Sequence, residues 1–166
     1  MANLVLQTTR LVLRGAYMSN NPAKSLGATG AGVLARALAR NTCLTFIDLR
    51  GNNMASEGVH SLLHPLSAMT SLQSLDLSYN GITAGDACHV INTLARTAVR
   101  SGGVGCSNLV MEGNGFTPCD VVACSSWSHD LRLPVLPAHV VKKGFGEIIV
   151  YLSGPCPALR STLLFI

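Results

Sequence analysis

Leucines and their apolar equivalents recur along this chain at fixed offsets around a single polar position. The stretch "LQSLDLSYNGI" (72–82) sets Leu72, Leu75, Leu77 and Ile82 about Asn80. The same spacing returns in "LTFIDLRGNNM" (44–54), with Leu44, Ile47, Leu49, Asn52 and Met54, and in "CSNLVMEGNGF" (106–116), with Cys106, Leu109, Met111, Asn114 and Phe116. A weaker copy, "TTRLVLRGAYM" (8–18), keeps Leu11, Leu13 and Met18 but has Thr8 and Ala16 where a leucine and the asparagine belong. Within each copy apolar and polar residues alternate with period two, which is the signal of a strand.

Between copies the period changes to that of a helix. In "GVHSLLHPLSAMTSL", Val59, Leu62, Leu63 and Leu66 fall on one helical face. Ala31, Leu34, Ala35 and Leu38 match them without a gap, and Ala87, Val90, Ile91 and Leu94 repeat the offsets. The unit is strand, turn, helix, turn, and Ile47 to Leu75 measures it at 28 residues. Two intervals are longer: Leu11 to Ile47 is 36 residues and Leu75 to Leu109 is 34. The excess falls in "SNNPAKSLGAT" and "TAVRSGGVG", whose Gly, Ser, Asn and Pro content predicts surface loops. Pro65 removes a backbone donor from the second helix and predicts a kink or thinning there.

The pattern L-x-x-L-x-L-x-x-N-x-L resembles the leucine-rich repeat over about residues 8–117, and internal repeats of this length are the mark of stacked architectures. A full helix within 28 residues resembles the ribonuclease-inhibitor type, the class also found in Ran GTPase-activating proteins and in the sensor domains of NOD-like receptors. The fold class this implies is α/β: a short leucine-rich-repeat solenoid, with a curved parallel sheet on the concave side and helices on the convex side. The expected organisation is a repeat domain of about four units at 1–117, followed by 118–166 as an irregular carboxy-terminal cap or poorly ordered tail. When such units stack, backbone groups at the turn leaving each strand face inward without ladder partners, and an asparagine amide offers them both a donor and acceptors. The resemblance implies that Asn52, Asn80 and Asn114 form a buried ladder; ordinary turn asparagines tolerant of unusual backbone angles are the alternative. Ala16 cannot join a ladder, so the first repeat is expected to be irregular and to act as a cap.

If the framework leucines point inward, alternation places their neighbours on the other face in three columns. The first holds Arg10, Phe46, Ser74 and Asn108; the second Val12, Asp48, Asp76 and Val110; the third Arg14, Arg50, Ser78 and Glu112. Asp48 beside Asp76, and Arg14 beside Arg50, would make small patches of each sign around an exposed Phe46. The candidate partner-binding residues are therefore Phe46, Asp48, Arg50, Ser74, Asp76, Ser78, Asn108, Val110 and Glu112. The alternative is a set of solvated strand residues that balance one another.

Composition narrows the partner. Charged residues are only 12% of the chain and the net charge is +4, with no basic run longer than Lys142–Lys143, so no nucleic-acid footprint is visible. Six cysteines lack the spacing of a disulfide framework, and reduced thiols in a cytoplasmic protein are the simpler expectation. The amino terminus, broken by Arg10 and without a cationic start, does not fit a signal peptide.

Catalytic and metal-binding signals are weak. His60 and His64 stand four apart in "HSLLH", but no glutamate lies between them as the metalloprotease helix requires. Cys119, Cys124 and His129 lack zinc-site spacing, "SGGVG" lacks the Lys-Ser/Thr of a phosphate loop, and adjacency alone does not make Cys88 and His89 a dyad. No catalytic residue, metal or cofactor is assigned. After Phe116 the repeat grammar stops, although "EIIVYL" (147–152) predicts a buried or edge strand. For this tail a solenoid cap, a poorly ordered or non-native segment, and a membrane anchor all stay open. The anchor is disfavoured by Gly154, Pro155, Pro157 and Arg160, which interrupt the apolar run short of the roughly 20 residues a span needs. With only four repeats, self-association or membership in a larger repeat protein is also open. The expected function is a non-catalytic interaction module that binds a protein partner on the concave face. The alternative is an activator-type regulator of a small GTPase, by resemblance to Ran GTPase-activating proteins, though the acidic tail and additional repeats of that group are missing.

Overall fold

The computed structural model describes residues 8–16, 25–101, 105–116 and 149–150. Among these residues short strands and longer helices alternate: β1 (Arg10–Val12), α1 (Gly27–Leu38), β2 (Phe46–Asp48), α2 (Ala55–Ala68), β3 (Ser74–Asp76), α3 (Ala84–Arg100) and β4 (Asn108–Val110). The first four strands lie side by side in chain order and pair parallel. Their register sets Leu11, Ile47, Leu75 and Leu109 in one row. Of the 118–166 segment only β5 (Ile149–Val150), inside "EIIVYL", lies among the described residues; it pairs antiparallel with β4 at the end of the sheet.

Register determines the core. Ile47, Leu75 and Leu109 are buried, as are Leu49, Leu77 and Met111 two residues on, and Leu44, Leu72 and Cys106 three before. The helices supply the other wall: Ala31, Ala35 and Leu38 from α1, Val59, Leu62 and Leu66 from α2, and Ala87, Val90 and Leu94 from α3. Each leucine so covered contributes about 1.5–3 kcal/mol relative to exposure. Leu34 and Leu63 only flank this core. Leu13, a framework position in the sequence pattern, is 38% exposed, because β1 is the first strand and has no described neighbour on its outer side.

The asparagines join the units. Asn52, Asn80 and Asn114 are buried. The Asn52 N–H donates to Asn80 Oδ1 (3.0 Å), and the Asn80 N–H donates to Asn114 Oδ1 (2.7 Å). Each side-chain amide then donates both within its own turn and to the preceding one: Asn80 Nδ2 reaches Leu77 O (3.0 Å) and Leu49 O (2.9 Å), and Asn114 Nδ2 reaches Met111 O (2.9 Å) and Leu77 O (3.0 Å). Asn52 bonds Leu49 O (2.8 Å) and, in the first repeat, Leu13 O (2.6 Å). Its Oδ1 accepts from the Leu26 N–H (3.2 Å), just before α1.

The same turns also cap the helices. The first N–H groups of a helix have no internal partner, and neither α1 nor α2 begins with a capping side chain. The carbonyl of the next repeat's asparagine serves instead: Gly27 N–H donates to Asn52 O (3.0 Å) and Ala55 N–H to Asn80 O (2.9 Å). Sheet, turns and helix ends are thus satisfied only when neighbouring units are stacked.

Both loop expectations are corrected in part. Residues 97–100 of the second insertion are helical, not loop: α3 continues to Arg100 because Thr97 Oγ1 and Arg100 Nη2 both donate to Ser67 O at the end of α2. Residues 27–29 of the first insertion likewise open α1, while 17–24 and 102–104 lie outside the described residues. Pro65 lies inside α2, which runs on to Ala68. The proline sits in the last turn, where the one carbonyl it leaves unbonded belongs to exposed Ser61 and can be hydrated.

Asn80→Ala is expected to destabilise the protein by about 1–3 kcal/mol in urea unfolding followed by circular dichroism, because the buried Asn52 N–H loses its acceptor while the Leu49 and Leu77 carbonyls each lose one of two side-chain donors. A loss below about 0.5 kcal/mol would show that the ladder is dispensable. Gly58→Ala is expected to cost about 1–3 kcal/mol by the same measurement, since its Cβ would stand 2.8 Å from Met54 Cβ and 3.1 Å from Ala31 Cβ, forcing α1 from α2.

Candidate functional site

The row beside the buried leucines faces away from the helices. Its residues are bridged from strand to strand by opposite charges and by ring contacts. Arg10 lays its guanidinium 3.8 Å from the centre of the Phe46 ring, so Phe46 is half-buried beneath it instead of standing free. Arg14 Nε donates to Asp48 Oδ2 at 2.6 Å, and that carboxylate is buried, with only 1% of the residue exposed. The hydrogen bond and charge of Asp48 hold the Arg14 guanidinium above its ordinary pKa. The other carboxylate oxygen of Asp48 accepts from the Arg50 N–H (3.1 Å).

Toward the other end, Arg50 Nη1 lies 3.7 Å from Glu112 Oε2 and its guanidinium 4.6 Å from the Tyr79 ring centre. The Tyr79 hydroxyl donates to Glu112 Oε1 (2.6 Å). Ser74 Oγ accepts from Asn108 Nδ2 (3.1 Å), and Ser78 Oγ accepts from the Glu112 N–H (3.2 Å). Ser78 is buried, so neither it nor Asp48 offers a side chain to solvent, whereas Ser74, Asp76, Asn108, Val110 and Glu112 are half-exposed. The two arginines pair across sign, Arg14 with Asp48 and Arg50 with Glu112, while Asp76 stays in register beside Asp48. Like charges in register on neighbouring strands repel, and an arginine is long enough to reach an opposite charge instead.

Tyr79 belongs to this face and does not appear in the sequence pattern. The residue preceding each ladder asparagine takes a left-handed backbone: Gly51 at φ 75°, Tyr79 at φ 55° and Gly113 at φ 67°. Glycine adopts this conformation freely, and a tyrosine does so at a cost of about 1–3 kcal/mol. The ring packs on Gly113, where any Cβ would collide with it (Tyr79 Cδ1 at 2.6 Å). Tyrosine in a glycine slot was the available signal.

On the helical side, His60 Nε2 lies 3.1 Å from Asp86 Oδ1, and the His60 and His89 rings meet edge-on at 5.4 Å. Asp86 is buried and accepts from Ser56 Oγ (2.6 Å), the Thr83 N–H (2.8 Å) and Thr83 Oγ1 (2.7 Å), while its own N–H donates to Thr83 Oγ1 (3.3 Å). This reciprocal pair caps α3 locally, and its signature "TAGD" was legible as a capping box. Burial opposes the charge of Asp86, but the Ser56 and Thr83 donors and the nearby His60 outweigh it and hold the carboxyl below its ordinary value. Buried Asn41 plays a similar part before β2, where its Oδ1 accepts from Cys43 N–H (2.9 Å) and Leu44 N–H (3.0 Å). His64 is exposed. Among the described residues no group of His, Cys, Asp and Glu is arranged to hold a metal, and no helix is long and apolar enough to cross a membrane. Cys106 is buried in its framework slot, which pushes its thiol up to about 12. Cys119, Cys124, His129 and Cys156 lie outside the described residues.

A family model described as Leucine Rich repeat matches residues 40–63 and 68–87. Those spans run through β2 and into α2, and then through β3 into the start of α3, and they include two of the three ladder asparagines. Over those two spans the chain carries leucine-rich repeats.

Because the folded Asp86 carboxyl titrates below its usual 3.8, its contribution to stability is complete above that value and is lost as pH falls through the lower folded value. Thermal melts taken from pH 5 downward are expected to show a steeper loss for the native chain than for Asp86→Asn below about pH 4. Parallel curves would mean that Asp86 carries no such linkage.

Proposed function

We propose that this chain is a non-catalytic protein-interaction module, and that it binds its partner on the helix-free face of the sheet, the concave face of a ribonuclease-inhibitor-type solenoid. Leucine-rich repeats generally mediate protein–protein interaction, which supports the general activity. The observation that carries the choice of face is the row of half-exposed side chains on adjacent parallel strands, with guanidinium planes already held on aromatic rings at Phe46 and Tyr79. Arginine and tyrosine are enriched at the energetic centres of interfaces, and side chains held in place before contact lose less entropy on binding. The 28-residue period and the full helix in each unit support the ribonuclease-inhibitor type. A reducing compartment such as the cytoplasm suits Cys43, Cys88 and Cys106, none of which is in a disulfide.

Contact with a protein partner is expected to be abolished by Val12→Glu with Val110→Glu, which charges the helix-free face. It should survive Val33→Glu with Arg96→Glu, which alters exposed positions of α1 and α3. Crosslinking of the tagged full chain in native extract, followed by mass spectrometry, reads the difference. A partner kept by the first variant and lost by the second would place binding on the helices.

A further inference from the structure

Internal repetition offers its own control experiment, because equivalent positions in successive units are expected to make equivalent contacts. Asp48 and Asp76 are in register on β2 and β3. Each turns one carboxylate oxygen to the N–H two residues on, Asp48 to Arg50 (3.1 Å) and Asp76 to Ser78 (2.9 Å). Asp48 Oδ2 is then covered by Arg14.

Arg50 stands one unit after Arg14 in the same column, and repetition would lay it on Asp76. It does not go there. Its neighbour in the column, Ser78, is too short to block it, so Arg50 spans that residue to the Tyr79 ring and Glu112. Arg14 feels the field of Asp76 at longer range, but its Nε is committed to Asp48. Among the described residues no cation pairs directly with the half-exposed Asp76 carboxylate. Val110, next to it on β4, is half-exposed and apolar, a surface suited to the methylene stem of a long cationic side chain.

We propose that Asp76 is the recognition carboxylate of the helix-free face, and that it takes an arginine side chain from a partner polypeptide in the pose that Arg14 adopts on Asp48. The proposal rests on the binding face proposed above and adds the partner's chemistry. Arginine suits the place better than lysine, because a guanidinium is more weakly hydrated and pairs with a partly buried carboxylate at less desolvation cost. Tyr79 acts as a positioning residue: its ring and hydroxyl, held in a left-handed backbone, keep Arg50 and Glu112 together and so keep Arg50 off Asp76.

Peptides selected on the full chain from a random displayed library provide the probe. Each selected peptide is synthesised and titrated by fluorescence anisotropy against the native chain, Asp76→Asn, and Val12→Glu with Val110→Glu. The selected peptides are expected to share an arginine. Replacing it by citrulline should weaken binding to the native chain about tenfold or more, but binding to Asp76→Asn by less than about twofold, because the carboxylate is already gone. If the double glutamate variant abolishes binding while Asp76→Asn and citrulline both leave it unchanged, the face binds and the role of Asp76 is overturned. If the double glutamate variant binds as well as the native chain, the binding face itself is overturned along with it.

Discussion

The interaction on which the rest depends is the amide-to-amide hydrogen bond between the turns of successive repeats. A turn that leaves a parallel strand toward the core carries backbone groups that neither a sheet ladder nor water can reach. Each ladder asparagine satisfies such groups in its own turn and in its neighbour, and the carbonyls of Asn52 and Asn80 cap the helices of the preceding units. A single unit would bury orphaned polar groups wherever it buried leucine. Stacking therefore satisfies the polar and apolar requirements together, and among the described residues no buried side-chain polar atom lacks a partner.

This constraint also explains where the chain is irregular. At the first repeat Ala16 stands in the asparagine's place and supplies no side-chain amide to the turn, and Asn52 Nδ2 reaches Leu13 O across it. The left-handed residue before each asparagine is imposed by the turn, so glycine is the expected occupant. Tyr79 departs from that rule and joins Arg50 to Glu112 on the face away from the helices. Of the two departures, the one at Tyr79 lies on the helix-free face, where a solvated sheet alone gives no reason for it.

Much of the architecture was legible because it depends on periodicity. The framework residues Ile47, Leu49, Leu75 and Leu77 and the stripe Val59, Leu62 and Leu66 gave strands and helices from spacing alone, and the asparagines stood out as single polar residues in apolar surroundings. The contacts on the helix-free face were not legible in the same way. Alternation assigns Arg14, Asp48, Arg50 and Glu112 to the face, but which arginine reaches which carboxylate depends on side-chain length across neighbouring strands and on whether Ser78 leaves the way open. Asn41 was missed for a different reason, as a polar residue buried by local hydrogen bonding in a turn, where burial leaves no apolar periodicity to read; Asp86 left only the local signature of its cap. The helical 97–100 segment was hidden by a composition suited to loops, and its cause, the grip on Ser67, lies in another unit.

Amide hydrogen exchange under native conditions tests the central claim most directly. If stacking rests on the ladder, the Asn52 and Asn80 N–H groups, each bonded to the next asparagine, will exchange as slowly as the Leu77 N–H in the sheet and through the same opening event. Exchange at those two asparagines as fast as in an exposed turn, with the Leu77 amide still protected, would contradict it.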